Sequence, residues 1–379
     1  MIRRSIQTRI ESCLFKGKAV IIYGARQVGK TTLIKEIEKK FPDDSFYINC
    51  DEPDLRAALT NVTSTNLKNM IGKKRLILID EAQRVKNIGL TLKLFTDQLP
   101  HVQVIATGSS SLDLSNEIVE PLTGRKYEFY LYPFSLSELK SVYSPVELKR
   151  IIETRMIMGM YPDIVLKPEE SSRNLRSLSK SYLYKDVLQY QDIRRPELLE
   201  KLLRALALQT GQEVSYNELS NLLDISKITV RNYIQLLEKA FVIFRLPPFS
   251  RNLRTELRKL RKIYFYDTGI RNALINNMNP LDIRQDAGQL WENFMISERL
   301  KLNSNNGKYV NTYFWRTHRQ AEIDYIEEAG GNLRAFEFKF RPGKNRIPKA
   351  FYSAYPDCPV EFINRDNFHE FTGLSQGKR

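Results

Sequence analysis

The chain has 379 residues, 42% of them apolar and 27% charged, which excludes disordered, fibrous and membrane-embedded classes and predicts two or three packed domains. Its 59 Lys and Arg against 44 Asp and Glu give a formal charge of +15, a surplus that favours polyanionic partners, nucleic acid above all, over a merely solvated basic surface. Cys13, Cys50 and Cys358 are far apart and form no C-x-x-C or Cys/His pairing, so neither disulfide framework nor zinc site is predicted, and a reducing cytoplasm is the expected compartment. Gln7, Arg9, Glu11 and Lys16 interrupt any signal-like apolar stretch, and the longest apolar runs are only strand-length; a soluble protein without membrane association is expected.

Ala19-Val20-Ile21-Ile22-Tyr23 is an apolar, β-branched run that predicts a buried parallel strand. It leads into Gly24-Ala25-Arg26-Gln27-Val28-Gly29-Lys30-Thr31, a complete G-x-x-x-x-G-K-[ST] phosphate loop, followed by an amphipathic helix over residues 32–40. The glycines let successive backbone N–H groups curl around phosphate oxygens, the helix adds the positive end of its dipole, and Lys30 reaches the terminal phosphates. Residues 24–32, ending in Thr32, are the expected ATP contacts, with Thr31 an expected Mg²⁺ ligand. Residues 75–79 predict a second buried strand, which ends in Asp80-Glu81 where ligands sit in open α/β sheets. Asp80 is suited to hold Mg²⁺ through water, which leaves Glu81 to orient or deprotonate an attacking water, so hydrolysis as well as binding is expected.

Two more strands are expected at residues 46–50 and 102–106. The second runs into Thr107-Gly108-Ser109-Ser110 and resembles the sensor strand of AAA+ ATPases, whose polar side chain touches the γ-phosphate or the lytic water. Ser109 is the candidate, Ser110 and Thr107 are close competitors, and an ordinary Gly-Ser turn is the alternative. Leu122-Thr123-Gly124-Arg125, followed by the aromatic run from Tyr127 to Ser135, makes the resemblance specific. The chain is similar to the bacterial and archaeal AAA+ ATPases that carry a C-terminal domain of unknown function. That resemblance implies an AAA+ core over residues 1–134 and makes Arg125 an arginine finger acting from the same or a neighbouring subunit, the second case requiring a homo-oligomer.

Residues 135–195 have a polar helical pattern and are expected to form the lid. Amphipathic helices follow at 202–210, 217–223 and 228–237, the last two joined by Asp224-Ile225-Ser226 with helix-turn-helix spacing, and strands at 241–246 and 262–266 complete a winged module over residues 196–265. Val230, Ile234 and Leu237 share a core face, leaving Lys227, Thr229, Arg231, Asn232 and Gln235 for a DNA groove. Arg251, Arg254, Arg258, Lys259, Arg261 and Lys262 are expected to add phosphate contacts from the wing, with protein as the alternative partner.

Within residues 266–379, Trp291-Glu292-Asn293-Phe294 falls in a predicted helix, and strands at 322–326 and 333–339 form a hairpin around Gly330-Gly331. Alternation puts Glu337 and Lys339 on one face, and cross-strand pairing can bring Asp324 beside them. This set resembles the PD-(D/E)xK nuclease core. The resemblance implies Mg²⁺ ligation by Asp324, Glu337 and the Phe338 carbonyl, with Glu292 contributing from the helix. It also implies that Lys339 polarises a water and that Arg316 holds the scissile phosphate. A solvated Glu-Lys strand face is the alternative. The expected fold class is α/β: a P-loop AAA+ parallel-sheet domain with helical lid, a winged-helix module, and a C-terminal α/β PD-(D/E)xK-like domain. The leading functional expectation is an ATPase, using ATP and Mg²⁺, that couples nucleotide state to DNA binding and to phosphodiester cleavage. The alternatives are a nucleotide-controlled protein-interaction switch with an inactive nuclease-like domain, and a DNA-remodelling ATPase that does not cut.

Overall fold

The computed structural model describes residues 2–108, 121–182, 195–249, 261–317, 319–343 and 346–374. They fall into two compact units, the first taking in residues 3–132 and 239–241, the second residues 133–238 and the chain from 242 onward.

The first unit is built on a five-stranded sheet of β1 (Ala19–Tyr23), β2 (Ser45–Asn49), β3 (Leu76–Asp80), β4 (Gln103–Gly108) and β5 (Lys126–Tyr130), in the order β2-β3-β4-β1-β5. All four pairings are parallel. Every residue of β1, β3 and β4 is buried, as central strands with helices on both faces require, whereas the edge strands β2 and β5 keep partly exposed positions. Helix Lys30–Glu38 buries Leu33, Ile34 and Ile37, and helix Ile88–Gln98 buries Leu92 and Phe95. Because β1 lies between β4 and β5, the strand order reverses beside it, and the carboxyl ends of β1, β3 and β4 open on one edge of the sheet.

In the second unit, helices Pro196–Leu208, Tyr216–Leu223 and Lys227–Lys239 accompany an antiparallel sheet β6-β8-β7, made of β6 (Glu213–Val214), β7 (Ile243–Leu246) and β8 (Arg261–Phe265). A four-stranded sheet follows in the order β12-β11-β10-β9, from β9 (Asn311–Arg316), β10 (Glu322–Ala329), β11 (Asn332–Phe338) and β12 (Val360–Ile363). β12 runs parallel to β11 and the other pairs are antiparallel. Helix Ala287–Asn305 precedes this sheet, and helix Lys349–Ala354 bridges β11 and β12.

The segments 135–195, 196–265 and 266–379, expected as separate modules, share one hydrophobic core. Leu136 and Met156 from the first, Phe244 and Tyr264 from the second, and Trp291, Phe314 and Phe336 from the third all belong to it. The physical reason is size: strands of two to five residues cannot bury an apolar face by themselves. Among the described residues no helix is long and apolar enough to cross a membrane.

Candidate functional site

The loop after β1 is shaped by its backbone. A Cβ at Gly24 would lie 2.2 Å from the Leu131 carbonyl oxygen, so nothing larger than glycine fits there. Gln27 (φ 59°) and Gly29 (φ 96°) both adopt the left-handed region, the alternation that turns successive N–H groups into an anion-binding concavity. Lys30, buried at the first position of its helix, donates to the carbonyls of Gly24 and Ala25 at 2.9 Å each. Arg4, from the start of the chain, donates to the Val28 carbonyl at 2.9 Å and to the Tyr132 carbonyl, bracing the loop.

Three hydroxyls converge on the carboxylate of Asp80. Thr31 donates to Oδ2 at 2.7 Å, Tyr47 from β2 donates to the same oxygen at 2.9 Å, and Thr107 from β4 donates to Oδ1. Burial, and after it the charge of Asp80, pushes the Tyr47 hydroxyl well above its ordinary pKa, so it stays a donor. Thr107 also accepts from the Glu81 amide at 3.2 Å, and Gln83 donates its side-chain amide to Glu81 Oε2 at 2.6 Å. A carboxylate aligned by hydroxyls next to a phosphate loop is a donor set that suits hydrated Mg²⁺.

A second polar site lies in the second unit, where the β10–β11 hairpin faces helix Ala287–Asn305. With Tyr325 opposite Phe336, the register brings Asp324 alongside Glu337, and Asp324 Oδ2 accepts from the Phe338 amide at 2.8 Å. Lys339 donates to Glu337 Oε2 at 3.1 Å, while Glu337 Oε1 is buried without a hydrogen-bond partner. Glu292 Oε1 takes the ammonium of Lys262 at 3.0 Å and the hydroxyl of Tyr264, both on β8. Lys262, only 1% exposed, also pairs with Glu322. An open pocket is lined by Gln289, Glu292, Asp324, Phe338 and Lys339.

The electrostatics of this cluster are net acidic. Burial pushes Glu292 up to about 7 against the pull of Lys262, and burial with the neighbouring Asp324 raises Glu337. Burial also raises Asp324, whereas Lys262, despite its own burial, is raised by Glu292, Asp324 and Glu322 together. The acids rise chiefly because they are buried, and the ammonium rises because three carboxylates surround it.

Residues 16–140 match the AAA domain family. Their fold is that of an AAA-type ATPase. Residues 149–281 and 287–368 match two domains of unknown function, DUF8612 and DUF4143 respectively. An uncharacterized protein of Mycobacterium tuberculosis is 29% identical over 367 residues, covering 94% of this chain and 78% of that protein. One from Methanocaldococcus jannaschii is 27% identical over 385 residues, covering 95% and 83%. Among solved structures, a Walker-type ATPase of Pyrococcus abyssi aligns with a TM-score of 0.49 at 17% identity, over 72% of this chain and 96% of that one.

In the AAA-type domain, Lys30, Thr31, Asp80 and Glu81 meet at one sheet edge, joined by Thr107. Ser109 and its competitor Ser110 lie outside the described residues, while Thr107 belongs to β4, which runs two residues further than the predicted strand. Arg125 is elsewhere. Its carbonyl accepts from the Ala19 amide at 2.9 Å, at the amino end of β1, and its guanidinium is engaged by Asp97 at 2.7 Å. That is the opposite edge of the sheet from the phosphate loop, a strand length or about 13 Å away, so the same-subunit alternative for Arg125 does not hold.

In the second unit, Val230, Ile234 and Leu237 are buried as expected, and Lys227, Arg231, Asn232 and Gln235 are exposed with Thr229 partly so. Arg251, Arg254, Arg258 and Lys259 lie outside the described residues. Lys262, expected as a phosphate contact, is instead buried among carboxylates, because β8 is the central strand of its sheet and its residues 262–265 are all buried. Arg316 pairs with Glu322 at 3.4 Å and Glu213 at 3.6 Å. Among the described residues no three His, Cys, Asp or Glu side chains gather as a metal-holding group, and Glu292 is turned to Lys262. Arg4, Tyr47, Gln83 and Tyr264 are site residues that no motif spacing marks.

Proposed function

We propose that the chain is a Mg²⁺-dependent ATPase whose nucleotide state governs nucleic acid binding by its second unit and phosphodiester cleavage at Asp324 and Glu337. The observation that carries the ATPase reading is the convergence on Asp80 of Thr31, Tyr47 and Thr107, with Glu81 immediately after it. Thr31 and Asp80 would hold Mg²⁺, which when bound neutralises phosphate charge. Lys30 offsets the charge of the terminal phosphates, and the Glu81 carboxylate takes the proton of the attacking water.

The nucleic acid part is supported by the charge of +15 and by the exposed basic and amide side chains on helix Lys227–Lys239, which together with the β6-β8-β7 sheet we read as a winged helix. The cleavage part is supported by the unpartnered Glu337 oxygen, an acceptor that a divalent cation satisfies, and by Lys339 beside it. A protein-binding switch is the second reading, favoured by Leu222 and Ile228, 65% and 67% exposed on either side of the helix-turn-helix turn.

The deciding experiment is steady-state ATP hydrolysis with and without single-stranded and duplex DNA, the same reactions being run on a gel. DNA-stimulated hydrolysis, with strand breaks that disappear in Asp324→Ala, is the expected result. Hydrolysis indifferent to DNA, with intact strands, would overturn the nucleic acid reading in favour of the protein switch.

A further inference from the structure

We propose that the Lys262 ammonium is the resident countercharge of Glu292, so that Glu292 is not a metal ligand and one divalent cation is held by Asp324 and Glu337 on the hairpin. This rests on the reading of that pocket as metal-competent.

A lysine is rarely buried unless paired, and Lys262 is 1% exposed with its Nζ 3.0 Å from Glu292 Oε1, beside Glu322 and 5.5 Å from the ring centre of Phe314. The same Glu292 oxygen accepts from Tyr264, so Oε1 is committed to β8. A divalent ion on Glu292 would stand a few ångströms from an ammonium that has no route to solvent, a like-charge contact in a weakly screened place.

On the β10–β11 hairpin the carboxylates are less fully used. Asp324 Oδ2 accepts the Phe338 amide, and Glu337 Oε2 accepts Lys339. Glu337 is only 7% exposed and its Oε1 has no partner. Oxygen donors alone, here two carboxylates, select a hard cation such as Mg²⁺ or Mn²⁺.

The test is Mn²⁺ titration of the nucleotide-free full chain by calorimetry, comparing the wild type with Glu337→Gln, Glu292→Gln and the double variant Lys262→Met/Glu292→Gln. We expect Glu337→Gln to remove one ion per chain, and Glu292→Gln to leave its dissociation constant within about twofold, whereas loss of a true ligand costs roughly tenfold or more. The double variant, which deletes both members of the ion pair together, is expected to keep the ion too and reads the same outcome should the single variant fold poorly. Weakening by Glu292→Gln and the double variant to the extent seen in Glu337→Gln, or loss of two ions in Glu337→Gln, would overturn the inference while leaving the metal-competent reading intact. Absence of any Mn²⁺ binding that depends on Glu337 would sink both.

Discussion

Glu81 holds a left-handed conformation, φ 53° and ψ 41°, which costs a non-glycine residue roughly 1–2 kcal/mol and persists only where neighbours impose it. Here Thr107 takes its amide and Gln83 its carboxylate, so the side chain proposed as the base is already held in place. Glu81→Gln is therefore expected to bind ATP normally and to lose at least about a hundredfold in turnover, read by nucleotide binding alongside steady-state hydrolysis. Unchanged turnover would remove Glu81 as the base. Tyr47→Phe deletes one hydrogen bond to Asp80 without opening space, and a drop of roughly tenfold in turnover with little change in ATP affinity is expected from about 1.5 kcal/mol of lost alignment. The motif residues were legible in the sequence because their chemistry fixes their spacing. Tyr47 and Arg4 were not, since each reaches the site from a distant element and carries no local signature.

At the scale of the element, the strands and helices that the sequence predicts lie nearly in place, because buried parallel strands are continuous apolar runs and the helices are amphipathic, whereas β5, β6, β9 and β12 carry no such run and have no counterpart in that reading. What local pattern could not give was direction: alternation marks Lys262 as one face of β8 but not whether that face looks to solvent or to Glu292. A comparable buried connection begins helix Ala287–Asn305. Asp286, the residue before it, accepts from Arg284 Nε and Nη2 at 2.8 Å each and from Arg271. Burial pushes its carboxyl up, but the two guanidiniums more than offset that and hold it at about 2, below its ordinary 3.8. A depressed carboxyl contributes stability that is present above the unfolded pKa and lost as pH falls through the folded one. Asp286→Asn is accordingly expected to cost about 1–2 kcal/mol near neutral pH, after discounting for partial exposure. In urea titrations the gap to the wild type should close as pH falls through the interval from the ordinary value to about 2; a gap independent of pH would exclude this ion pair as its source.

At the scale of the whole molecule, the position of Arg125 at the far edge of its own sheet means that a finger role needs a second copy of the chain. Mixing Lys30→Ala, expected to lose tight ATP binding, with Arg125→Ala, which would lack the finger, is expected to restore part of the hydrolysis that each lacks alone. Mixtures no more active than their components would remove Arg125 from the reaction. The shared core of the second unit has a consequence for exchange of its segments. Lys262 falls within the segment matching one domain family, and its partners Glu292 and Glu322 within the segment matching another, so this buried ion pair joins the two. A segment exchanged singly keeps the contact only if it brings a matching residue to position 262 or 292.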